Sequence, residues 1–541
     1  MKKASLFYII ISWFAILPSS AQNVEWKDVA GIFYNNCATC HRPGEIGDGY
    51  IDATSYAALV NDSLSPYFFA IPARVNERLM PPWKANPDYH HFLDERILSD
   101  DEITLIDSFV AQVERPGYDP GEITLAPPPP VFAEGSQLGI PDTVLTMAQA
   151  FPVPGDYTDH YQCFVLHTNL LDSRNVKAIE FRAGDPKIVH HVFIYTCIDG
   201  SADSLDATTP EYGYPSFGGA GEGVNADFLT LYGPGLTPRF YPEGSGIKFK
   251  ANTALIIQIH YAPTDHEVFD QSSLNIFYEP ESEIRIVKGK RVGENYVLEP
   301  VFFILKDKVL TFHSEYTLDS TYSMFSIAPH MHYLGQEFKI WAVTPGGDSV
   351  PLCHIPVWDF KWQLLYNFPC FMILPQGTVV HSEATYDNTT NNPNNPNNPP
   401  KNVGYGESSY DEMDKYFMNL LTYQSGDETV VFDSALCALD DYNVSTPFVS
   451  GMITTPQLYN IIPNPANDQA VIDYYLPKYS AGNIVIYDLL GRTIPGINTE
   501  FETTPGFHRS VIDTKKINSG IYFLVMQADG KRITKRLVVE H

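Results

Sequence analysis

Basic residues are scarce in this sequence: 35 Lys and Arg stand against 64 Asp and Glu, a formal net charge of −29. A nucleic-acid partner is excluded on that ground, because phosphate contacts need a basic surface. Past the first residues no apolar run approaches the roughly 20 residues that span a bilayer. Phosphate-loop, G-x-S-x-G and H-E-x-x-H signatures are missing as well, which removes the nucleotide-binding and hydrolytic readings that rest on them. Gly218-Gly219-Ala220-Gly221 lacks the Lys-Ser/Thr of a phosphate loop and reads as a turn. Cysteine is sparing, at seven in 541 residues.

The length predicts three or four domains, and 44% hydrophobic content is ample for their cores. Residues 1–21 read as an export signal: Lys2-Lys3, an apolar stretch from Phe7 to Leu17, and small residues Ser19-Ser20-Ala21. The mature protein is therefore expected to be soluble and exported. Residues 23–115 read as helical. Trp26, Val29, Ile32 and Phe33 keep helical spacing, and Ser99 with Glu102 forms a capping box ahead of Ile103, Ile106, Val110 and Val113. A Pro-rich linker, 116–135, contains Pro127-Pro128-Pro129-Pro130.

From 136 to 455 short alternating runs with Gly, Pro and Asn punctuation predict β-sandwich material. In Leu255–Tyr261, Leu255, Ile257 and Ile259 face one way and Ile256, Gln258 and His260 the other. The Asn/Pro tract 388–400 is expected to be an exposed loop that packs no core. Residues 459–541 carry further strand-like runs and turn signals, spaced as in a small immunoglobulin-like sandwich.

Cys37-Ala38-Thr39-Cys40-His41 supplies two thiols for haem vinyl groups and an imidazole for the iron. Met80, in Arg78-Leu79-Met80-Pro81-Pro82-Trp83, is the expected sixth ligand, with His90 or His91 as alternatives. This segment resembles a class I cytochrome c domain. Outside the cytoplasm the other five cysteines are expected to form one or two disulfides. The expected pairings are Cys163–Cys197 and Cys353–Cys370, although sequence alone does not set connectivity.

A lone His in a strand is usually a satisfied polar residue, and 16 His guarantee chance pairs. The set is harder to dismiss. His330 and His332 point to one side of a strand. With the soft thioether of Met413 they leave an open position suited to Cu(I)/Cu(II). His190 and His191 face opposite sides of an ideal strand and share an ion only through a bulge. With His260 they make an all-imidazole set.

Ile188-Val189-His190-His191-Val192-Phe193, Gln258-Ile259-His260-Tyr261, Pro329-His330-Met331-His332-Tyr333-Leu334-Gly335 and Ser408-Ser409-Tyr410-Asp411-Glu412-Met413 resemble the copper type II, ascorbate-dependent monooxygenases. That family includes the peptidylglycine α-hydroxylating and dopamine β-monooxygenases. The resemblance implies two jelly-roll-like sandwiches of eight to nine strands, 136–295 and 296–455, each holding one copper across a solvent-filled cleft. His190, His191 and His260 would hold the electron-transfer copper, with Gln258 in support. His330, His332 and Met413 would hold the catalytic, oxygen-binding copper. The peptide-hydroxylating members carry an Arg where Ala328-Pro329 stands, and a Tyr at Phe417, so a carboxylate-terminated substrate is not expected.

Ile462-Pro463-Asn464-Pro465, Ile486–Arg492 and Gly520-Ile521-Tyr522-Phe523 resemble the C-terminal sorting domain of type IX secretion. A basic closing strand follows. This resemblance implies passage through the periplasm to the surface of a Gram-negative bacterium or beyond.

The expected function is a copper-dependent monooxygenase that hydroxylates a C–H bond of a small or peptide-like organic substrate with O2. Its cofactors are two copper ions and a covalent haem c. Electrons come from ascorbate or another external donor through the haem. The alternative is a non-catalytic surface electron-transfer or copper-binding haem protein. A copper–haem nitrite reductase fits worse, because no cysteine joins the His and Met ligands as a blue-copper site requires.

Overall fold

The computed structural model describes residues 23–60, 65–127, 135–216, 219–280, 283–298, 300–406, 408–439, 456–462, 464–476, 480–489, 491–495, 499–503 and 506–541. The export-signal residues, Pro128–Pro130, Gly218, Pro463 and Leu490 lie outside them. The chain is mostly β-sheet with few helices, and it divides into two units. One unit comprises residues 1–83 and 96–132, the other 84–95 and 133–541. Among the described residues no helix is long and apolar enough to cross a membrane.

In the first unit the longer helices are Trp26–Asn36 and Asp100–Val113. Ser99 caps the second: its Oγ accepts from Glu102 N–H at 3.2 Å, while Glu102 Oε2 accepts from Ser99 N–H at 2.8 Å. Ile103, Ile106 and Val110 of the apolar stripe are buried, as is Phe109, whereas Leu105 points outward. Trp26, Phe33 and Phe109 form the aromatic centre, with ring centroids 5.8 to 6.1 Å apart. A separate small all-α domain of the cytochrome c kind is not evident. Three of the helices, Tyr56–Leu59, Ser65–Phe68 and Ile71–Asn76, have only four to six residues. Residues 84–95, expected with this part, belong to the second unit.

In the second unit, two five-stranded sheets share one core. In one of them Ala254–Tyr261 runs centrally, between His160–His167 and Val189–Cys197. Its two faces behave as the alternation requires, except that both are buried. Leu255, Ile257 and Ile259 join the inter-sheet core, while Ile256 lies in a second apolar cluster with Cys163, Tyr195 and Tyr214. Two four-stranded sheets follow. Tyr322–His330 and Lys415–Thr422 pair in the first of these. Val309–Thr317, Val379–Asp387, Gly335–Val343 and Ser349–Ile355 line up in the second. The C-terminal part has a three-stranded and a four-stranded sheet around its own core of Ile472, Ile486, Leu524 and Leu537.

The disulfide is Cys370–Cys437, and Cys163, Cys197 and Cys353 are free. The expected Cys163–Cys197 pairing fails on sheet geometry. The two residues sit on opposite neighbours of the central strand, facing Gln258 and Ala254. Two strand spacings plus a four-residue offset along the strands put them roughly 16 Å apart, beyond disulfide reach. Cys353 and Cys370 lie on strands of different sheets. Cys370 instead meets Cys437 on the short helix Ser434–Leu439, with Cα atoms 5.8 Å apart.

The Asn/Pro tract is also more ordered than its composition suggests. Asn388 and Asn392 are buried and act as internal ties. Asn388 Nδ2 donates to Lys401 O at 2.8 Å, and Asn392 Nδ2 donates to Asp387 O at 2.8 Å. A polar side chain can fill an interior site once it replaces backbone partners that would otherwise be unpaired.

Candidate metal and haem sites

His190, His191 and His260 converge. The ladder between Val189–Cys197 and the central strand shifts register between Val189 and His191, so His190 is the extra residue of a bulge. The bulge turns two successive imidazoles to the same place. His191 Nδ1 lies 3.0 Å from His190 Nδ1 and 3.3 Å from His260 Nδ1. Those separations are close to the roughly 3.3 Å between donors of one ion held by bonds of about 2.0 Å. The opposite nitrogen of His260 is engaged: Nε2 donates to Asp159 Oδ1 at 2.7 Å, leaving Nδ1 with its lone pair. Tyr161 stacks on the His260 ring at 4.2 Å and Phe360 on His190 at 4.9 Å.

His330 ends the strand Tyr322–His330, and His332 lies just beyond it, not on the strand as spacing suggested. Their ring centroids are 5.2 Å apart. His330 Nδ1 contacts Gln363 Oε1, while the Gln363 amide donates to Phe360 O at 2.8 Å. His332 Nδ1 is 3.1 Å from the carbonyl of Asp411. Both partners are acceptors, so both Nδ1 atoms carry the proton and both Nε2 atoms present lone pairs. Glu412 ties the neighbouring loop: its carboxylate accepts from the backbone N–H groups of His332, Leu334 and Met413. Met413 is buried, and its carbonyl accepts from Tyr386 Oη at 2.6 Å. The strand that begins at Lys415 pairs with the His330 strand, so the Met413 segment enters beside the imidazoles.

Electrostatics suit metal binding. Burial lowers His190 to about 3 and His332 to about 4, and holds His191 and His330 well below the ordinary imidazole value. All are neutral near pH 7, the form that ligates. Burial raises Glu412 to about 8, against the three N–H groups that favour its carboxylate.

The two sets are close together, and apolar side chains stand where a solvent-filled cleft was expected. His191 and His330 have centroids 6.3 Å apart. Phe228 stacks on Phe417 at 4.7 Å, and Phe193 lies 6.2 Å from the same ring. A cavity of about 20 Å³ lies between His191, His330, Phe193, Ala328, Pro329 and Leu364. Gln258 is buried two residues from His260, and its amide donates to Ser216 O at 2.9 Å. Asp159, Gln363 and Asp411 are the partners that sequence reasoning missed. They come from loops distant in sequence, and no periodicity marks them.

In the first unit, Cys37 caps the helix Trp26–Asn36, and Cys40 and His41 follow in a turn tied to Cys37 O at 3.1 and 2.9 Å. Both thiols are free, and burial raises Cys37 to about 12. His41 Nδ1 is buried against Gly47, where a Cβ would lie 2.5 Å from it. Tyr50, Tyr67, Phe69, Leu79 and Met80 of this unit remain exposed. Free thiols, one imidazole and uncovered apolar side chains suit a covalently held, flat apolar group. Met80 is 36% exposed, and among the described residues no hydrogen bond or ring contact links it to the Cys37–His41 turn. His90 belongs to the second unit, with its ring 4.9 Å from Phe368. His91, in the same segment, meets Glu95 at 3.1 Å.

Residues 460–540 match the family described as the secretion system C-terminal sorting domain. That tail marks the chain for export by the type IX machinery to the surface of a Gram-negative cell or beyond. Among curated proteins, none matches. A solved β-glucuronidase of Faecalibacterium prausnitzii aligns at 8% identity over 43% of this chain and 37% of its own, with TM-score 0.13. A β-glucuronidase of Parabacteroides merdae aligns at 10% identity over 50% and 32%, with TM-score 0.12. The chain thus spans about a third of the length of these enzymes.

Proposed function

We propose that this chain is an exported copper-dependent monooxygenase that converts R–H, O2, two electrons and two protons into R–OH and water. The observation that carries the reading is the division of ring nitrogens. Three Nδ1 atoms converge at His190, His191 and His260, while His330 and His332 have their Nδ1 atoms engaged by Gln363 and Asp411, which turns Nε2 into the nitrogen each would offer a metal. One set is all imidazole, and the other has the segment of the buried Met413 running beside it. Copper held by such donors supplies one-electron chemistry and oxygen activation, and a covalent haem at Cys37, Cys40 and His41 supplies electrons one at a time.

The chain's own residues orient and shield. Asp159, Gln363 and Asp411 fix which face of each imidazole is presented. Phe193 and Phe360 pack against imidazoles of both sets: Phe193 lies 5.3 Å from His191 and 5.9 Å from His330, and Phe360 4.9 Å from His190 and 5.9 Å from His332. Ala328-Pro329 stands where the peptide-hydroxylating members carry an Arg, so the substrate class is an organic molecule bound without a carboxylate anchor there.

The test is metal content followed by oxygen uptake. The haem-loaded, copper-loaded and desalted full chain is expected to hold two copper ions more than its His191→Ala, His330→Ala double variant. Met413→Ile should abolish substrate oxidation while haem reduction proceeds as before. A difference of one copper or none, or an active Met413→Ile variant, overturns the reading and leaves the electron-transfer alternative.

A further inference from the structure

A second His cluster lies away from the two sets above. The tripeptide His-Ser-Glu occurs twice, as His313-Ser314-Glu315 and as His381-Ser382-Glu383. The strands Val309–Thr317 and Val379–Asp387 pair antiparallel so that the two tripeptides face each other: His313 opposite Glu383, Ser314 opposite Ser382, Glu315 opposite His381. The serines point inward and are buried, with their hydroxyls 2.5 Å apart. By the period of two, the histidines and glutamates all stand on the outer face.

Three donor atoms meet there. His313 Nε2 is 3.1 Å from His381 Nδ1. Glu315 Oε1 is 3.7 Å from His313 Nε2 and 3.4 Å from His381 Nδ1. The three separations average near the roughly 3.3 Å edge of a tetrahedron with metal–ligand bonds of about 2.0–2.1 Å. Glu383 does not compete for the ion. Its carboxylate lies 4.0 Å from the other nitrogen of His313, beyond hydrogen-bond distance, and Lys339 stands opposite it on the next strand. Trp341 covers one side of the cluster, stacked on His381 with centroids 5.3 Å apart and an interplanar angle of 8°. The ligand side chains remain partly open, at 34% for His313, 16% for His381 and 41% for Glu315.

We propose that His313, Glu315 and His381 form a further metal site, which takes a zinc ion and leaves the fourth position to water. Two imidazoles and one carboxylate are a zinc donor set, and the two glutamates give the patch the negative charge a divalent cation seeks. The site joins two neighbouring strands and is separate from the imidazoles assigned to copper, so it does not depend on the monooxygenase reading.

The test uses the metal-free full chain, dialysed against zinc and analysed for zinc per chain. The readout is a difference, so any zinc taken up at the other histidines cancels. His313→Ala with His381→Ala is expected to hold one zinc fewer than the parent, while circular dichroism is unchanged because these side chains lie on the surface. Glu315→Gln should keep the fold and weaken this zinc about tenfold or more. Equal zinc content in the parent and the double variant overturns the proposal. If the double variant is misfolded, Glu315→Gln decides alone: unchanged zinc affinity overturns the site, and weakened affinity supports it.

Discussion

His332 shows how burial, more than residue type, sets the chemistry of a site. An imidazole in water gains a proton near pH 6.5. At His332 burial lowers that value to about 4. The unfolded chain therefore binds a proton that the folded one refuses between those two pH values. Stability rises with pH through that window and falls as pH drops below 6.5. The shift corresponds to about 3 kcal/mol at a side chain only 4% exposed. Urea unfolding of the metal-free protein at pH 6.5 and pH 4 should show the parent losing about that much more than His332→Gln. Equal losses would mean that the ring is solvated in the folded state. At the same scale, the residue types of both imidazole sets were legible in the sequence. Their partners Asp159, Gln363 and Asp411 were not, because hydrogen bonds between distant loops leave no periodic trace.

At the scale of elements, the strand period explains both what was legible and what was misplaced. The Ser99–Glu102 capping box forms as the four-residue pattern requires, since both partners lie within one turn. The bulge before His191 could be named as a requirement of two adjacent ligands, but its position emerges only from pairing with the central strand. Disulfide pairing failed for the same reason: it depends on which strands become neighbours. The helix Ser434–Leu439 is held to the strand Tyr366–Leu374 by Cys370–Cys437, which closes a loop with sequence separation 67. Chain entropy makes such a closure worth about 4 kcal/mol. Cys437→Ser should lower the denaturation midpoint of the oxidised protein accordingly, measured by scanning calorimetry, and adding reductant should lower the parent to the same value. A variant as stable as the parent would show that the helix is held by packing alone.

For the whole molecule, the C-terminal part is separable in principle because it buries its own core and carries its own address. Deleting residues 457–541 is expected to stop passage from the periplasm to the surface, read by immunoblot of the cell surface and medium. The truncated chain recovered from inside the cell should keep the metal content of the parent. Loss of metal on truncation would show that the tail supports the upstream sandwiches.

The sequence by itself determined which chemistry-bearing side chains exist, the turn that joins two thiols to one imidazole, the β character of the long central region, and the address at the C-terminus. Each is a local pattern written within a few dozen residues. Tertiary structure alone decided which ring nitrogens are free, which cysteines meet, that residues 84–95 belong with the sheets, and that the two His-Ser-Glu tripeptides face one another. Those outcomes depend on register between strands tens of residues apart. A shift of one residue in that register would turn every side chain to the opposite face.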